Sequence, residues 1–233
     1  MAVTLHLPPA SDLTPAEIAR WVPVPTAVAV DMLGGAGQID PAIRPLRPPG
    51  QQPRLFGQAV TVRCEAPDFG AVLHALDVIK RGQVLVIDAG GHRDNAMIGD
   101  ILSGALRDKG VAGLVCDGAV RDVGIVGNWT DFPVFSRWIN PRGPSGAQRG
   151  AINLAVVIGG CVVAPGDLII GDDDGLVALS PANVRTAIAA AEAKLERETV
   201  WISALAAGKS VAEVFGLAPA VIHAPDGGLT DPL

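Results

Sequence analysis

Residues 84–118 of the chain are VLVIDAGGHRDNAMIGDILSGALRDKGVAGLVCDG, in which two apolar runs flank a more polar stretch. The runs VLVIDAG (84–90) and VAGLVCDG (111–118) are continuous and rich in β-branched residues, which is typical of strands buried on both faces. Two such strands joined by a helix with short links form a right-handed parallel unit. This stretch therefore predicts an α/β fold that contains a parallel strand–helix–strand unit.

The linking helix is predicted from Asn95 to about Lys109. Asp94 is a suitable N-cap because its carboxylate can accept the free amides of the first turn, and Gly110 is a typical residue at which a helix ends. Gly90–Asp94 would then form a loop at the carboxyl end of the first strand.

Similar patterns predict further elements on both sides of this unit. The signals are capping residues, apolar periodicity and turn residues. Helices are predicted over 11–21, 26–33, 70–82, 182–207 and 210–217, strands over 59–66 and 133–136, a meander of short strands over 153–180, and an extended loop over 40–54. Without an internal repeat or a long linker, we expect a single domain over 1–233, with a loosely ordered tail at about 222–233.

The composition argues against several functional classes. Of the 233 residues, 49% are hydrophobic but only 4% are aromatic, and the net charge is −6. Few aromatic rings and no basic stripe argue against a nucleic-acid partner. The three separated cysteines, Cys64, Cys116 and Cys161, lack the spacing of a zinc site. No apolar run is long enough to span a membrane and the N-terminus lacks a signal-peptide pattern, so we expect a soluble cytoplasmic protein without a membrane partner.

Two candidate site segments follow the strands of the parallel unit, Gly90–Asp94 after the first and Asp117–Asp122 after the second. Ligands of open parallel sheets bind at the carboxyl ends of the strands. Glycines there let backbone amides approach an anion, and the N-terminus of the linking helix adds partial positive charge. The sequence therefore predicts a small anion-binding cleft at this edge of the sheet.

Arg121 and Asp122 are the most distinctive pair in the second segment. A guanidinium can bind a carboxylate or an enolate through two hydrogen bonds, and an adjacent aspartate can hold a hard divalent cation together with water. An ordinary exposed ion pair is the alternative interpretation, and the residues alone leave both open.

Asp100 is predicted to lie within the linking helix among apolar neighbours. Aspartate is unfavourable in a helix interior and requires a polar partner there. Gly99 beside it would permit the close approach of a ligand or a second chain. A solvated carboxylate at the edge of the apolar stripe is the alternative.

The stretch GGHRDNAMIGDILSGALRDKGVAGLVCDGAVRD (90–122) resembles the 4-hydroxy-4-methyl-2-oxoglutarate/4-carboxy-4-hydroxy-2-oxoadipate aldolases, which share a family with the ribonuclease-activity regulator A proteins. The spacing of Asp100 from the Arg121-Asp122 pair carries the resemblance. It extends over most of the chain, through the segments 25–33, 57–64, 165–179 and 205–217.

The resemblance implies a role for each candidate site residue. Asp122 would be the direct protein ligand of Mg²⁺ or Mn²⁺, Arg121 would bind the pyruvyl oxygens and stabilise the enolate, and Asp100 would orient water at the metal. The amides of Ile101 and Leu102 would help to hold the substrate carboxylate. The substrate-binding residues would thus be Gly99, Asp100, Ile101, Leu102 and Arg121.

The resemblance also implies a β/β/α fold that assembles into trimers or hexamers. A glutamate from the C-terminal helix of a neighbouring subunit would complete each catalytic site. The predicted helix over 182–207 offers Glu192, Glu196 and Glu198, of which Glu198 is favoured.

The implied activity is retro-aldol cleavage of a 4-hydroxy-2-oxo di- or tricarboxylic acid to give pyruvate, or the related decarboxylation of oxaloacetate. Neither cleft segment contains lysine, which argues against a Schiff-base aldolase. The alternative is a non-catalytic regulator that binds and inhibits a ribonuclease. The cluster of an arginine with two aspartates favours the enzyme, because an inhibitory surface does not need these groups in one cleft.

Two other polar segments have simpler explanations. GDDDG (171–175) is rich in carboxylates, but Asp-Gly between apolar runs predicts a hairpin turn rather than a metal loop. His92 could act as an acid or base and Arg93 could bind a second substrate carboxylate. A backbone hydrogen bond for His92 and solvation for Arg93 are the alternatives that remain open.

Overall fold

A computed structural model describes residues 2–8, 13–223 and 229–230. The chain divides into two units, Met1–Ala191 and Glu192–Leu233. The helices are α1 (Pro15–Ala19), α2 (Thr26–Met32), α3 (Gly70–Val78), α4 (Asp100–Asp108), α5 (Val123–Val126), α6 (Pro181–Ala206) and α7 (Val211–Phe215). The strands are β1 (Thr4–Leu5), β2 (Arg44–Pro45), β3 (Leu55–Arg63), β4 (Val84–Ile98), β5 (Gly113–Val120), β6 (Val134–Ile139), β7 (Ala151–Ile152), β8 (Val156–Ile158), β9 (Cys161–Val163), β10 (Leu168–Gly171), β11 (Leu176–Leu179), β12 (Ile222–His223) and β13 (Leu229–Thr230).

Four parallel strands form the centre of the sheet in the first unit. β3, β4, β5 and β6 are hydrogen-bonded in that order, and each pair is parallel. At the other side of β3, β7 and β10 pair with it antiparallel, and β11 pairs with β10. β1 pairs with β7 and β2 with β6. Because α4 connects the parallel strands β4 and β5, the predicted α/β fold with a strand–helix–strand unit is confirmed.

Side chains of β4 alternate between the two faces of the sheet. Leu85 and Ile87 belong to a core cluster that also contains residues of α3 and α4, whereas Val84 and Val86 belong to a second cluster. All four side chains are fully buried. Each such burial stabilises the fold by about 1.5–3 kcal/mol. The prediction of a strand buried on both faces is therefore confirmed.

β4 is longer than predicted. It continues to Ile98, so the prediction that residues 90–94 form a loop is wrong. Ala96 and Ile98 pair with β5, and both are buried together with Met97. Pairing with a neighbouring strand and burial of these apolar side chains outweigh the local preference for helix.

α4 begins at Asp100 with Gly99 at the N-cap, so the predicted start at Asn95 with Asp94 as N-cap is wrong. The predicted end is correct, because α4 closes just before Gly110, which has a φ of 78°. The linking helix is thus present but starts about one turn later than the sequence predicts.

Most other predicted elements are present with shifted boundaries. Thr14 and Glu17 form a capping box at α1, the stretch 153–180 contains two antiparallel hairpins, and α6 is the long C-terminal helix. Residues 11–12 of the first predicted helix, and 224–228 and 231–233 of the predicted tail, lie outside the described residues. Within the described part of the chain, no helix combines the length and apolar character needed to cross a membrane.

The second unit contains the C-terminal part of α6, with α7 and the antiparallel pair β12–β13. Trp201 of α6 packs against Phe215 of α7, with their ring centroids 4.7 Å apart. Ser210 and Glu213 form a capping box that fixes the start of α7. The unit therefore has its own aromatic contact and its own helix-terminal hydrogen bonds.

Candidate active site

A cavity of about 380 Å³ lies at the carboxyl ends of β4 and β5. Residues 97–102 and Arg121 form one side of it, and Phe69, Leu73, Gly143 and Pro144 form the rest. All five residues predicted to bind substrate line this cavity together, namely Gly99, Asp100, Ile101, Leu102 and Arg121. The volume is within the range of small-molecule sites.

Arg121 and Asp122 contact one another at the edge of this cavity. Nε of Arg121 lies 3.2 Å from Oδ2 of Asp122, and the two side chains are 38% and 35% exposed. The ion pair between Arg121 and Asp122, which was the alternative interpretation of these residues, is therefore present. It is not an isolated pair, because Oδ2 of Asp122 also accepts a hydrogen bond from the amide of Asp100 at 3.3 Å. A carboxylate at this end of α4 is stabilised by the partial positive charge of the helix.

The backbone of Asp122 adopts the left-handed conformation, with φ 58° and ψ 33°. Aspartate is one of the few residues with a side chain that adopt this region routinely, and residues held there cluster at functional sites. The turn lets the chain leave β5 and begin α5 at once. It thereby directs the Asp122 carboxylate back toward Asp100.

Gly99 makes the close approach of these groups possible. A Cβ atom at this position would lie 2.3 Å from Oδ2 of Asp122 and 2.9 Å from Cγ of Arg121. Gly143 serves the same purpose on the opposite side, since a Cβ there would lie 2.5 Å from Nη1 of Arg121. The side chain of Arg121 therefore runs between two glycines, and any larger residue at either position would displace it.

Asp100 occupies the first position of α4 rather than the helix interior, so that part of the prediction is wrong. Aspartate is favourable at this end of a helix. Its Oδ1 accepts the amide of Ile101 at 2.8 Å, which engages one of the two amides predicted for the substrate. Of the four free amides at the start of the helix, those of Gly99 and Leu102 have no acceptor among the described residues. These two amides are therefore free to donate to an anion.

The Gly143–Pro144 wall is fastened to β4 by polar contacts. The side chain of Asn95 donates to the carbonyl of Gly143 at 2.6 Å, and the amide of Ala96 donates to the carbonyl of Arg142 at 2.7 Å. The late part of β4 therefore positions both the start of α4 and the wall that faces it.

Asp68 holds the far end of the loop that contains Gly143 and Pro144, through hydrogen bonds to residues 148 and 149. Its buried carboxylate accepts the amides of Gly70 at 2.8 Å, Arg149 at 3.1 Å and Gln148 at 3.1 Å. Burial opposes ionisation of this group, but the amide hydrogen bonds outweigh it and lower the pKa of Asp68. The ionised side chain thus links α3, which carries Phe69 and Leu73 at its start, to the loop after Pro144.

Four residues of the cavity were not predicted from the sequence, namely Phe69, Leu73, Gly143 and Pro144. A signal for Gly143 and Pro144 was available, because the Gly- and Pro-rich stretch after β6 follows a strand that is parallel to β5 and adjacent to it. Loops after neighbouring parallel strands meet at the same edge of the sheet. Phe69 and Leu73 gave no such signal, because their approach depends on how α3 packs.

The donor set at Asp122 fits a divalent cation that retains most of its water. The described residues contain no group of three or more His, Cys, Asp or Glu side chains that could hold a metal. Oδ1 of Asp122 accepts no hydrogen bond from the described residues, while Oδ2 is engaged by Arg121 and Asp100. Mg²⁺ is commonly bound through one or two carboxylates and several waters. A single open carboxylate oxygen suits such an ion and not a closed metal cage.

Glu198, the favoured partner glutamate, lies on α6 within the second unit. Its Oε1 lies 3.7 Å from Nζ of Lys194, one helical turn earlier, and its side chain is 36% exposed. Glu196 is exposed and Glu192 is half-buried. The choice among the three glutamates stays a prediction.

His92 and Arg93 do not line the cavity. Nε2 of His92 lies 3.2 Å from Oδ1 of Asn95, so its ring contacts a side chain rather than the backbone group expected. Arg93 is largely exposed beside Asp94, at 3.8 Å. The two residues therefore lie on the outer part of β4.

The GDDDG segment forms the turn between β10 and β11, as predicted. Asp172 accepts both the amide and the hydroxyl of Thr26, at 2.9 and 2.5 Å, and Asp173 accepts the amide of Gly50 at 2.9 Å. Through these hydrogen bonds, the two carboxylates hold the start of α2 and the 40–54 loop against the β10–β11 hairpin.

The second cleft segment was predicted to begin at Asp117, but β5 continues to Val120, so Asp117 lies within the strand and that part of the prediction is wrong. Asp117 is buried and accepts Nε of Arg137 at 2.5 Å and the amide of Gly159 at 2.7 Å. Arg137 also donates to Asp40 at 2.8 Å. The hydrogen bond to Asp117 is the main cause of a raised pKa for Arg137. This cluster lines a separate, open depression beside Gly90 and Gly91.

Comparisons with known proteins agree with this architecture. The family described as RraA-like, Aldolase/RraA, matches residues 25–178. A protein from Halalkalibacterium halodurans that carries the name "Putative 4-hydroxy-4-methyl-2-oxoglutarate aldolase" is 33% identical over 162 residues, which cover 70% of this chain and 75% of that protein.

Two solved structures extend the comparison. An uncharacterised protein from Pseudomonas syringae pv. tomato superimposes with a TM-score of 0.79 at 26% identity, over 91% of this chain and 99% of its own. The RNA-processing inhibitor RraA from Thermus thermophilis superimposes with a TM-score of 0.59 at 27% identity, over 66% of this chain and 91% of its own. All residues that line the cavity lie within the matched family region, residues 25–178.

Proposed function

The chain belongs to the RraA-like Aldolase/RraA family, and on that premise we propose that it is a metal-dependent lyase of the class II pyruvate aldolase type. It would cleave a 4-hydroxy-2-oxo di- or tricarboxylic acid to release pyruvate and would also decarboxylate oxaloacetate. One observation carries the proposal. Arg121, Asp100 and the start of α4 converge on one cavity of small-molecule size, with the Asp122 carboxylate against them.

Arg121 and the N-terminus of α4 would bind the 2-oxo acid end of the substrate. Nε of Arg121 is engaged by Asp122, which leaves the two terminal nitrogens for substrate oxygens. The open amides of Gly99 and Leu102 would hold the carboxylate, since a helix N-terminus favours an anion. Both sets of donors are fixed before substrate arrives, so little reorganisation is needed in the transition state.

In the retro-aldol step, the bond between C3 and C4 of the substrate breaks and its electron pair passes to C3 as an enolate. The C4 hydroxyl loses its proton and becomes the carbonyl of the departing aldehyde or ketone. Arg121 stabilises the negative charge that develops on the enolate oxygen. A proton returned to C3 completes pyruvate. In oxaloacetate the same enolate forms when carbon dioxide leaves.

Asp122 is the residue that would hold Mg²⁺ or Mn²⁺, through its open Oδ1. When bound, such an ion supplies Lewis-acid polarisation of the 2-oxo group. Asp100 is placed to orient water beside the substrate, because its carboxylate lies at the cavity and its Oδ2 has no hydrogen-bond partner among the described residues.

Glu198 of the partner subunit would share the proton transfer with Asp100. This assignment requires a homo-oligomer in which each site borrows a residue from a neighbour, and we propose an assembly of three or six chains. Ring assemblies with head-to-tail interfaces permit such sharing, because one surface of each chain contacts a different surface of the next.

An assay of pyruvate release tests the proposal directly. The purified chain is supplied with oxaloacetate and, separately, with 4-hydroxy-4-methyl-2-oxoglutarate, and pyruvate is detected with lactate dehydrogenase. We expect turnover of both with Mg²⁺ and a large loss with Arg121→Ala. Activity that is absent for both substrates at every divalent cation tried, or unchanged in the variant, would contradict the assignment.

The second candidate is a regulator that binds and inhibits a ribonuclease. The similarity to the Thermus RNA-processing inhibitor supports it. The cavity favours the enzyme, because a docking surface has no need for an arginine between two glycines and against a carboxylate. A ribonuclease inhibited equally by the native chain and by the inactive Arg121→Ala variant would support the regulator instead.

A further inference from the structure

The motif GGHRDNA (90–96) on the outer part of β4 has no part in the proposed chemistry, yet two of its side chains meet beside the cavity. The strand bulges here, because β4 advances four residues from His92 to Ala96 while β5 advances one, from Gly118 to Ala119. Within the bulge, Nε2 of His92 lies 3.2 Å from Oδ1 of Asn95, and both residues are half-buried.

The hydrogen-bond partners of Asn95 fix the roles of both side chains. Nδ2 of Asn95 lies 2.6 Å from the carbonyl oxygen of Gly143, which can only accept. The amide nitrogen of Asn95 must therefore face Gly143 and its oxygen must face His92, so Nε2 of His92 has to carry a proton. A neutral ring with its proton on Nε2 and a cationic ring both meet this requirement.

Gly143 in turn lies directly against the guanidinium of Arg121. A Cβ atom at Gly143 would lie 2.5 Å from Nη1 and 3.6 Å from Cζ. The other end of the guanidinium is held by Asp122, whose Oδ2 lies 3.2 Å from Nε. Asp122 therefore fixes the position of Nε, and the backbone of Gly143 limits the position of Nη1.

Backbone hydrogen bonds hold the same loop independently of Asn95. The amide of Ala96 donates to the carbonyl of Arg142 at 2.7 Å, and the amide of Asn140 donates to the carbonyl of Val120 at 3.0 Å. Because these bonds remain when the Asn95 side chain is replaced, its loss should shift Gly143 without unfolding the loop.

Resting on the proposed function, we propose that Asn95 and His92 are positioning residues for this reaction. Asn95 holds Gly143 against Nη1 of Arg121. His92 holds the Asn95 amide in the orientation that this contact requires, as a hydrogen-bond donor and not as an acid or base. Neither side chain lines the cavity, so both act through Arg121. All these contacts lie within one chain and are compatible with a neighbouring chain that completes the site.

Two substitutions of Asn95 test its role, with kcat and KM measured on oxaloacetate in the presence of Mg²⁺. Asn95→Ala should lower kcat by about tenfold or more, because a displacement of about 1 Å is sufficient for such a loss. Asn95→Asp should also lower kcat, since the carboxylate has nearly the same shape and can still accept from His92 but cannot donate to Gly143. One variant remains informative if the other does not fold.

Asn128→Ala is the matched control. Asn128 also donates to a glycine carbonyl at 2.6 Å, that of Gly124, but it does not line the cavity or contact Gly143. Its replacement should leave kcat unchanged.

A double-mutant cycle separates positioning of Arg121 from a general loss of structure. Lysine has no Nη1 for Gly143 to hold, so Asn95→Ala should change kcat by no more than about twofold in an Arg121→Lys chain. The same substitution in the native background should have its full effect on kcat.

Two substitutions of His92 test the donor. The side-chain amide of glutamine can replace the Nε2 donor but cannot take up a proton, so His92→Gln should retain most of kcat and the pH profile of the native chain. His92→Leu should lose kcat as Asn95→Ala does. Nitrogen-15 NMR of the native chain in mildly alkaline solution should show the His92 ring protonated on Nε2, with its signal identified by its loss in His92→Gln.

Each outcome decides a different statement. Unchanged kcat in a folded Asn95→Ala chain, or an equal loss in the native and Arg121→Lys backgrounds, overturns the role of Asn95 and leaves the lyase intact. A folded but inactive His92→Gln chain, or a neutral His92 ring with its proton on Nδ1, overturns the role of His92. Release of pyruvate by none of the chains, the native one included, overturns the proposed function and the positioning roles with it.

Discussion

The carboxylate of Asp122 accepts the first amide of α4, with Oδ2 lying 3.3 Å from the nitrogen of Asp100. The proposed metal ligand and the proposed anion-binding helix start are thereby joined by one hydrogen bond. A change at either residue should affect both metal binding and substrate binding.

Arg121→Lys should lower kcat by about a hundredfold or more, the scale for losing one preorganised donor to an oxyanion. Lysine retains the charge but lacks the planar fork that binds Asp122 and substrate at the same time. Steady-state kinetics on oxaloacetate would measure the effect. Arg185→Ala is the control, because Arg185 forms an exposed pair with Glu17 at 2.7 Å outside the cavity. Near-normal kcat in a folded Arg121→Ala protein would show that the pair is only structural.

Asp122→Asn should abolish metal binding without unfolding the turn. Asparagine adopts the left-handed conformation as readily as aspartate and can still accept the amide of Asp100, but it lacks the negative charge. Titration with Mn²⁺, followed by the electron paramagnetic resonance of the free ion, should show binding to the native chain and none to the variant.

Excess chelator should abolish the activity of the native chain, and added Mg²⁺ or Mn²⁺ should restore it. Full activity in metal-free protein would exclude the metal.

Gly99→Ala should lower activity by about tenfold or more while the chain still folds. The backbone at Gly99 is extended, with φ −140°, so alanine is tolerated there, but its Cβ would lie 2.3 Å from Oδ2 of Asp122 and displace it. Gly124→Ala is the matched control, because a Cβ at Gly124 in α5 has no atom within 4 Å. Crystal structures of both variants would show whether Arg121 and Asp122 have moved. Equal activity of the two variants would remove the requirement for close approach.

Mixed oligomers should reveal a shared site. Arg121→Ala and Glu198→Gln chains should each be inactive alone, whereas co-expressed chains should recover about a quarter of the native activity, as random mixing in a ring predicts. Light scattering should show three or six chains. Glu196→Gln is the control and should remain active alone. A monomer with full turnover would contradict the shared site.

Asp68→Asn should lower the free energy of unfolding by about 1–3 kcal/mol, because buried amides of Gly70, Gln148 and Arg149 lose a charged acceptor. Since the folded pKa of Asp68 is lowered, its contribution is fully present above the unfolded pKa of about 4 and is lost as pH falls through the folded value. Urea unfolding at neutral and acidic pH should therefore show a difference between native and variant chains that shrinks in acid. Asp77→Asn on the exposed face of α3 is the control. A difference that is independent of pH would mean that the charge of Asp68 is not involved.

The apolar pattern of 84–90 and 111–118 was sufficient to predict the parallel unit, because a strand buried on both faces has a composition that few other elements share. It also placed Arg121 and Asp122 directly after the end of such a strand, which is where the structure has them, beside the cavity. The position of Asp100 could not be predicted correctly. Its place at the helix start depends on how far β4 continues to pair with β5, and pairing between strands distant in sequence leaves little local signal.

The walls of the cavity illustrate the same limit. Asn95 appeared to be the first residue of a helix, yet its side chain fastens Gly143 at a sequence separation of 48 residues. Leu73 has the pattern of an ordinary apolar helix residue, and its place in the cavity wall follows from the packing of α3. Local sequence predicted the polar residues at the cavity more readily than the residues that enclose it.

β4 and β5 advance unequally as they approach the cavity. The ladder that pairs Asp88 with Asp117 and Ile98 with Val120 consumes ten steps along β4 but only three along β5. The surplus residues bulge between the paired positions Asp88, His92, Ala96 and Ile98, so the number of residues between Asp88 and His92 can vary while Ile98 keeps its partner. Relatives that gain or lose residues in this stretch should therefore differ in the shape of their outer surface and in the chains that this surface contacts. They should retain the same reaction centre. In protein engineering, the same segment is the natural position for an inserted loop or tag.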